Sequence, residues 1–256
     1  YLIKGSPPIV PEKTGARSKK KEEGFWETIA TVFYAILVAL AIRTFAYEPF
    51  NIPSGSMRPT LLIGDYLFVS KYSYGYSRHS FPLSFMPFSG RVLSGTPERG
   101  DVVVFKLPRD NKTDYIKRVI GLPGDTLQVQ DGRLFINGEM VERERVDDFV
   151  YRNPYGSQIR VAQFTETLPG GREHLILEEG DNRRFDNTRV YAVPDGHYFM
   201  MGDNRDNSED SRSQVGFVPA ENLVGRAEFL FFSTDGTASI FEFWKWPTAI
   251  RFTRVF

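Results

Sequence analysis

The chain of 256 residues contains no cysteine, which excludes disulfides, thiolate catalysis and Cys-ligated zinc or iron and leaves the compartment open. It has only three histidines, at 79, 174 and 197, without HExxH spacing, so a His-rich metal site is not expected. No charge of either sign is in excess: Lys+Arg and Asp+Glu number 32 each, and the broad basic footprint of a dedicated nucleic-acid binder is missing. There is no GxSxG elbow, no GxxxxGK[ST] phosphate loop, no GxGxxG and no repeat of fixed period. One SxxK occurs, Ser18 to Lys21, but it sits in a basic tail where nothing desolvates the lysine. What is present is ordinary globular material, with 41% hydrophobic and 25% charged residues, enough for one large domain or a domain plus a smaller lobe.

Charge and hydropathy are uneven along the chain. Residues 1–24 carry Lys4, Lys13, Arg17, Lys19, Lys20 and Lys21 among Pro, Gly and Ser, and read as a solvated tail. The start at Tyr1 rather than Met leaves a processed, fused or truncated end open. Ile29 to Ile42 then gives fourteen residues without a charge, about 21 Å of helix, and extension from Phe25 to Tyr47 gives roughly 35 Å, enough to cross a bilayer of about 30 Å. Trp26, Phe45 and Tyr47 suit its interfaces, and Arg43 snorkels. A cleavable signal peptide with a small-x-small site at Ala39-Leu40-Ala41, and a buried core helix, are the competing readings. As an anchor at 25–47, the segment places the basic N-terminus in the cytoplasm and everything after residue 48 outside.

Beyond Pro49 short β-rich runs take over: 66–70, 101–106, 115–120, 126–130, 133–136, 197–201 and 223–232. Asp131-Gly132 and Asn137-Gly138 are the pairs that type I′ turns require. The expectation is a mainly β protein, a barrel or packed sheets. Residues 74–98 form a long aromatic loop, whose Phe81, Phe85, Met86 and Phe88 either touch lipid or pack on the domain. The C-terminal FEFWKWPTAIRFTRVF has the same two readings.

Three segments have compositions that folding alone does not explain. In FNIPSGSMRPTL at 50–61, prolines and a glycine force a tight path that brings Ser54 and Ser56 close to backbone N–H donors; a plain turn is the alternative. In DYIKRVIGLPGD at 114–125, strand alternation puts Tyr115, Lys117 and Val119 on one side. If that side is the core, burial lowers the Lys117 pKa and makes it a usable general base; if not, Lys117 snorkels. GDNRDNSEDSR at 202–212 is a dense polar loop whose Arg205 and Ser208 break the EF-hand pattern.

Taken in order, PSGSMRPT at 53–60, YIKRVIGLPGD at 115–125 and GDNRDNSEDSR at 202–212, after a membrane span, resemble the three boxes of the bacterial type I signal peptidase family, membrane-bound Ser/Lys enzymes. The resemblance implies a mainly β catalytic domain over 48–125 and 196–256, with a β-rich cap inserted at 126–195. It implies Ser56 as nucleophile, Lys117 as general base, and the Ser54 hydroxyl with the Ser56 amide as oxyanion hole. Ser208 would orient the Lys117 amine, with Asp210 and Arg212 bracing the site. Substrate would bind as an extended strand and be cut after small-x-small (Ala-x-Ala) sites, with Ile52 and Ile116, and less directly Phe50 and Tyr115, lining the pockets. Implied partners are signal-peptide-bearing preproteins and membrane lipid, without metal, cofactor or nucleic acid. The implied location is the bacterial inner membrane, catalytic domain on the periplasmic face. A membrane-tethered β-domain that binds or scaffolds exported partners without chemistry is the alternative. A mitochondrial inner-membrane peptidase or a self-cleaving Ser/Lys repressor would keep the dyad and change the substrate; the span and the lack of a helix-turn-helix pattern oppose the repressor.

Overall fold

The computed structural model describes residues 14–80, 90–93, 95–153, 156–180, 182–238 and 242–255. Two compact units divide at residue 42. In the first, helix α1 begins, and as a whole it spans Thr14–Phe45. Its stretch Gly24–Phe45 is 22 residues long with a mean hydropathy of 2.0 and none of it buried, so by length and composition it is able to cross a membrane. The unbroken run of Ala, Leu, Ile and Val without an opposing polar face explains why no side of it needs a protein core.

The second unit, Arg43–Phe256, is mainly β. Its largest sheet has seven antiparallel strands in the order β1-β2-β14-β3-β4-β12-β13. These are Tyr47–Asn51 (β1), Asp65–Ser70 (β2), Val102–Lys106 (β3), Asp114–Gly121 (β4), His197–Met201 (β12), Val218–Pro219 (β13) and Leu223–Ser233 (β14). Thr126–Gln130 (β5), Arg133–Ile136 (β6), Glu139–Met140 (β7) and Tyr191–Ala192 (β11) form a four-stranded sheet, and Glu142–Arg152 (β8), Gln158–Thr167 (β9) and Glu173–Glu178 (β10) a three-stranded one. Each strand read from the sequence is found within about one residue of its expected bounds. The two I′ turns also form, with Asp131 and Gly132 at φ 47° and 70° and Asn137 and Gly138 at 54° and 83°.

Four strands of some length escaped that reading, and each has a cause. β1 carries Pro49, which a sheet tolerates here because β1 is an edge. β8, ERERVDDFVYR, buries no residue fully, so it shows no apolar face, and its register slips between Val146 and Phe149. β9, which pairs with it, buries only two residues, Val161 and Glu166, and β10, although Ile176 and Leu177 are buried, joins the sheet only through β9.

Residues 126–195 thus hold the strands of both smaller sheets. The four-stranded sheet shares a core with the large one: Leu127, Leu134 and Ile136 pack with Ile120, Phe199 and Met201. A second cluster joins Val103, Phe105, Val119, Met200 and Leu223. A third, Ile52, Met57, Leu61, Leu67, Val104 and Val224, lies under the 53–60 bend. Of the long loop, Phe81, Phe85, Met86 and Phe88 lie outside the described residues. Its return is pinned by Arg91, whose guanidinium donates to the carbonyls of Tyr74, Gly75, Ala220 and Leu223. The C-terminal segment is held by Arg254, 2.6 Å from Asp65, while Phe243, Trp244 and Phe252 stay exposed.

Candidate active site

The 53–60 bend begins where β1 ends. Ile52 still exchanges backbone hydrogen bonds with Asp65 and Gly64, so the chain leaves the sheet from a fixed point. Met57 is wholly buried in the third cluster and turns the intervening residues outward. Asn204 closes the bend from the other side: its N–H donates to the Ser56 carbonyl at 3.0 Å and its side-chain amide to the Gly55 carbonyl at 3.1 Å. Ser56 is thus presented on a turn held at both ends.

Lys117 approaches from β4. Its Nζ lies 2.8 Å from Ser56 Oγ and 2.9 Å from the Ile116 carbonyl, and the side chain is 3% exposed. Burial lowers its pKa from the usual lysine value to about 8, against the opposing pull of Asp210, Asp203 and Glu209. The first two of those carboxylates are already engaged. Asp203 accepts from Arg118 Nε at 2.8 Å and Nη2 at 2.6 Å, and Asp210 pairs with Arg212 at 2.8 Å. Pairing blunts their hold on the ammonium form, and desolvation prevails.

Alternation does not by itself account for that burial. From Lys117 to Gly121 every residue of β4 is buried, on both faces, because the third segment covers the face that Arg118 occupies. Thr60 Oγ1, 2.5 Å from Asp203, completes a link through all three segments: Thr60 from the first, Arg118 from the second and Asp203 from the third. None of Thr60, Arg118, Asp203 and Asn204 was singled out from the sequence, although all lie inside or beside the motifs. Gly202 is another. A Cβ there would stand 2.5 Å from the Ser56 carbonyl oxygen and 2.2 Å from Ser208 Oγ, so only glycine fits.

Of the residues expected in the site, Ser54, Ser56, Tyr115, Ile116 and Lys117 line one cleft of about 580 Å³. Ser54 Oγ is 3.4 Å from Ser56 Oγ. Asp210 and Arg212 lie behind it as a buried ion pair, with Asp210 also accepting from the Gly202 amide at 3.0 Å. Three expectations differ from the geometry. Ser208 makes no hydrogen bond to Lys117: its Oγ is buried against Gly202 and unpartnered among the described residues, while the amine uses Ser56 and the Ile116 carbonyl. Ile52 is 3% exposed in the third core cluster and Phe50 packs on that cluster half-buried; neither is on the cleft wall, because alternation along the strand turns them toward Leu67 and Val104. The wall is supplied instead by Arg58 and Ile63, by Tyr151 of β8, and by Asn207 and Glu209 of the third segment. Among the described residues no three His, Asp or Glu side chains are grouped to hold a metal ion.

The sequence is similar over most of its length to curated relatives. It is 42% identical over 247 residues to signal peptidase I of Rickettsia typhi, covering 90% of this chain and 92% of that one, and 40% identical over 262 residues to signal peptidase I of Rickettsia conorii, covering 96% of each. A crystal structure of a signal peptidase I from Enterococcus faecalis, 28% identical, covers 52% of this chain and 97% of that one with a TM-score of 0.31. The profile of the family described as signal peptidase, peptidase S26, matches residues 25–232, a span that contains the anchor-like helix and all three motif segments. With a buried amine beside a serine hydroxyl at its centre, this chain is a peptidase of the type I signal peptidase family.

Proposed function

We propose that the chain is a membrane-anchored serine endopeptidase that removes N-terminal signal peptides from exported preproteins after small-x-small sites, with Ser56 as nucleophile and Lys117 as general base. The observation that carries this reading is the 2.8 Å contact of Ser56 Oγ with an amine whose pKa burial has brought to about 8. A neutral Lys117 takes the Ser56 proton as Oγ attacks the scissile carbonyl, and the oxyanion is met by the Ser54 hydroxyl and the Ser56 N–H. The ammonium returns that proton to the departing amine nitrogen, leaving an ester on Ser56. Lys117 then deprotonates a water, whose attack releases the signal peptide as a carboxylate and restores the serine. Asp210 and Arg212 brace the loop bearing Ser208, the hydroxyl left to receive a Lys117 N–H once Ser56 has turned to substrate.

Substrate entry has backbone support. Residues 114–117 pair with β3 along one edge, and β12 pairs with β4 only from Arg118 onward, so the other edge of 114–117 has no strand partner among the described residues. An extended peptide added there would lie along Ile116 and Tyr115, the half-buried walls of the pockets. The domains follow the same reading, with the expected anchor end at 47 moved back to Phe45 because Tyr47 already opens β1: anchor at 25–45, catalytic parts to 125 and at 196–256, and the two inserted sheets between. The six basic residues that precede the apolar stretch Gly24–Phe45 support a catalytic domain on the outer face of a bacterial inner membrane, with lipid and preproteins as partners.

The test is one gel. Purified protein in detergent is incubated with a preprotein, beside Ser56→Ala, Lys117→Met and Lys117→Arg. Cleavage by the parent and none by the three variants is expected, since a guanidinium stays protonated at any workable pH. Full activity of any variant overturns the dyad, and an inactive parent would favour a non-catalytic tethered domain.

A further inference from the structure

The charged side chains of the cleft are not equivalent. Asp114 is neutralised by Lys106 at 2.8 Å, Glu209 by Arg184 at 3.2 Å, and Glu179 accepts from Asn207 and faces Arg183 at 4.0 Å. Arg58 is different. Among the described residues it has no carboxylate partner, and its guanidinium instead lies over the Tyr151 ring, 4.3 Å from the centroid. It is half-buried, and its Nε and Cζ stand 3.1 and 3.2 Å from where a Gly55 Cβ would be, so the group sits one residue from the nucleophile.

A guanidinium that is stacked, partly desolvated and without a counter-ion has its geometry set in advance, and a carboxylate completes it with charge-assisted hydrogen bonds at little further ordering cost. Extended chain advances about 3.3 Å per residue, so from beside Gly55 the group reaches about two residues to either side of Ser56. We propose that Arg58, held by Tyr151, is a specificity determinant that reads a glutamate or aspartate side chain of the substrate within two residues of the scissile bond. This rests on the endopeptidase reading above. It adds a charge preference to a selection otherwise made by volume, and brings the inserted β8 strand into substrate choice through Tyr151.

The test uses the full-length protein in detergent and peptides that differ only by Glu or Gln at the second position before the cut or at either of the first two after it. The position next before the cut stays alanine. The wild type is expected to favour Glu over Gln about three- to tenfold in kcat/KM at one or more of these positions. In Arg58→Gln that ratio falls to about one, and Arg58→Glu favours Lys over Gln at the same position. Raising salt from about 50 to about 500 mM shrinks the wild-type ratio, a measurement that needs no variant. No wild-type preference at any position, or an unchanged ratio in a folded Arg58→Gln, overturns the proposal. Binding of the same peptides to Ser56→Ala, read by fluorescence anisotropy, separates the two levels. If the parent cleaves nothing the endopeptidase reading falls, whereas equal Glu and Gln affinities reject the role of Arg58 whatever the activity.

Discussion

Arg118 and Asp203 meet in a fork, two hydrogen bonds at 2.8 and 2.6 Å with both side chains buried, directly beneath the residues that hold Ser56. The pair fixes the third segment onto β4, and the next residue, Asn204, fixes the third segment onto the bend. Asp203→Ala strands the guanidinium in a low-dielectric site. It is expected to lose about 3–5 kcal/mol of stability, measured by urea denaturation of the detergent-solubilised protein. Arg118→Lys keeps the charge but not the fork and is expected to cost less stability, with a larger loss in kcat than in KM. A loss below about 1 kcal/mol in Asp203→Ala would show that the contact does not hold the site.

The rate of processing is expected to depend on pH through Lys117. Its ammonium form is inactive as a base, so kcat/KM rises with pH below about 8 and levels off above it. A profile flat from pH 6 to 10 would exclude Lys117 as the titrating base.

The same burial makes Lys117 a burden on stability. Its folded-state pKa is depressed, so between about 8 and the ordinary lysine value the unfolded chain binds more protons than the folded one, and stability rises with pH across that window. Below it the penalty is fully present. Lys117→Met, similar in length and uncharged, is therefore expected to be inactive yet as stable as the parent or about 1–3 kcal/mol more so at pH 7, with the advantage shrinking above pH 8. Thermal melts at pH 7 and pH 10 measure it, and a destabilised Met variant at pH 7 would contradict the assignment.

Gly202 is expected to tolerate no side chain. In Gly202→Ala the new methyl meets the Ser56 carbonyl and Ser208 Oγ together, so the bend must move, and turnover is expected to fall at least tenfold with a stability loss of about 1–3 kcal/mol. Adding Ser208→Gly, which takes away both the Oγ and the Cβ that stands 2.5 Å from the new methyl, leaves only the clash with the Ser56 carbonyl. Recovery of activity in that double variant would show that Ser208, and not the Ser56 carbonyl, is the obstacle.

How far the site was legible depends on the kind of residue. Ser56 and Lys117 stood out because the segments around them resemble two boxes of a known family; composition alone left a plain turn open for the one and a snorkelling surface lysine for the other. Arg118 and Asp203 gave no such signal: an arginine on a strand and an aspartate in a polar loop are ordinary residues until the fold joins them across 85 positions. Tyr151 was hidden more deeply, on a strand with no buried face.

Local chemistry along the chain determined the apolar helix, the seven recognised strand positions, the I′ turns and the serine and lysine segments, because propensity, hydropathy and turn geometry act over a few residues. Tertiary structure alone decided that Lys117 is buried, that Ile52 faces the core and not the cleft, and that, among the described residues, the Ser208 hydroxyl has no hydrogen-bond partner and Arg58 no counter-ion. Those are properties of what surrounds a side chain, and the surroundings come from segments up to 150 residues apart, whose meeting no local pattern encodes.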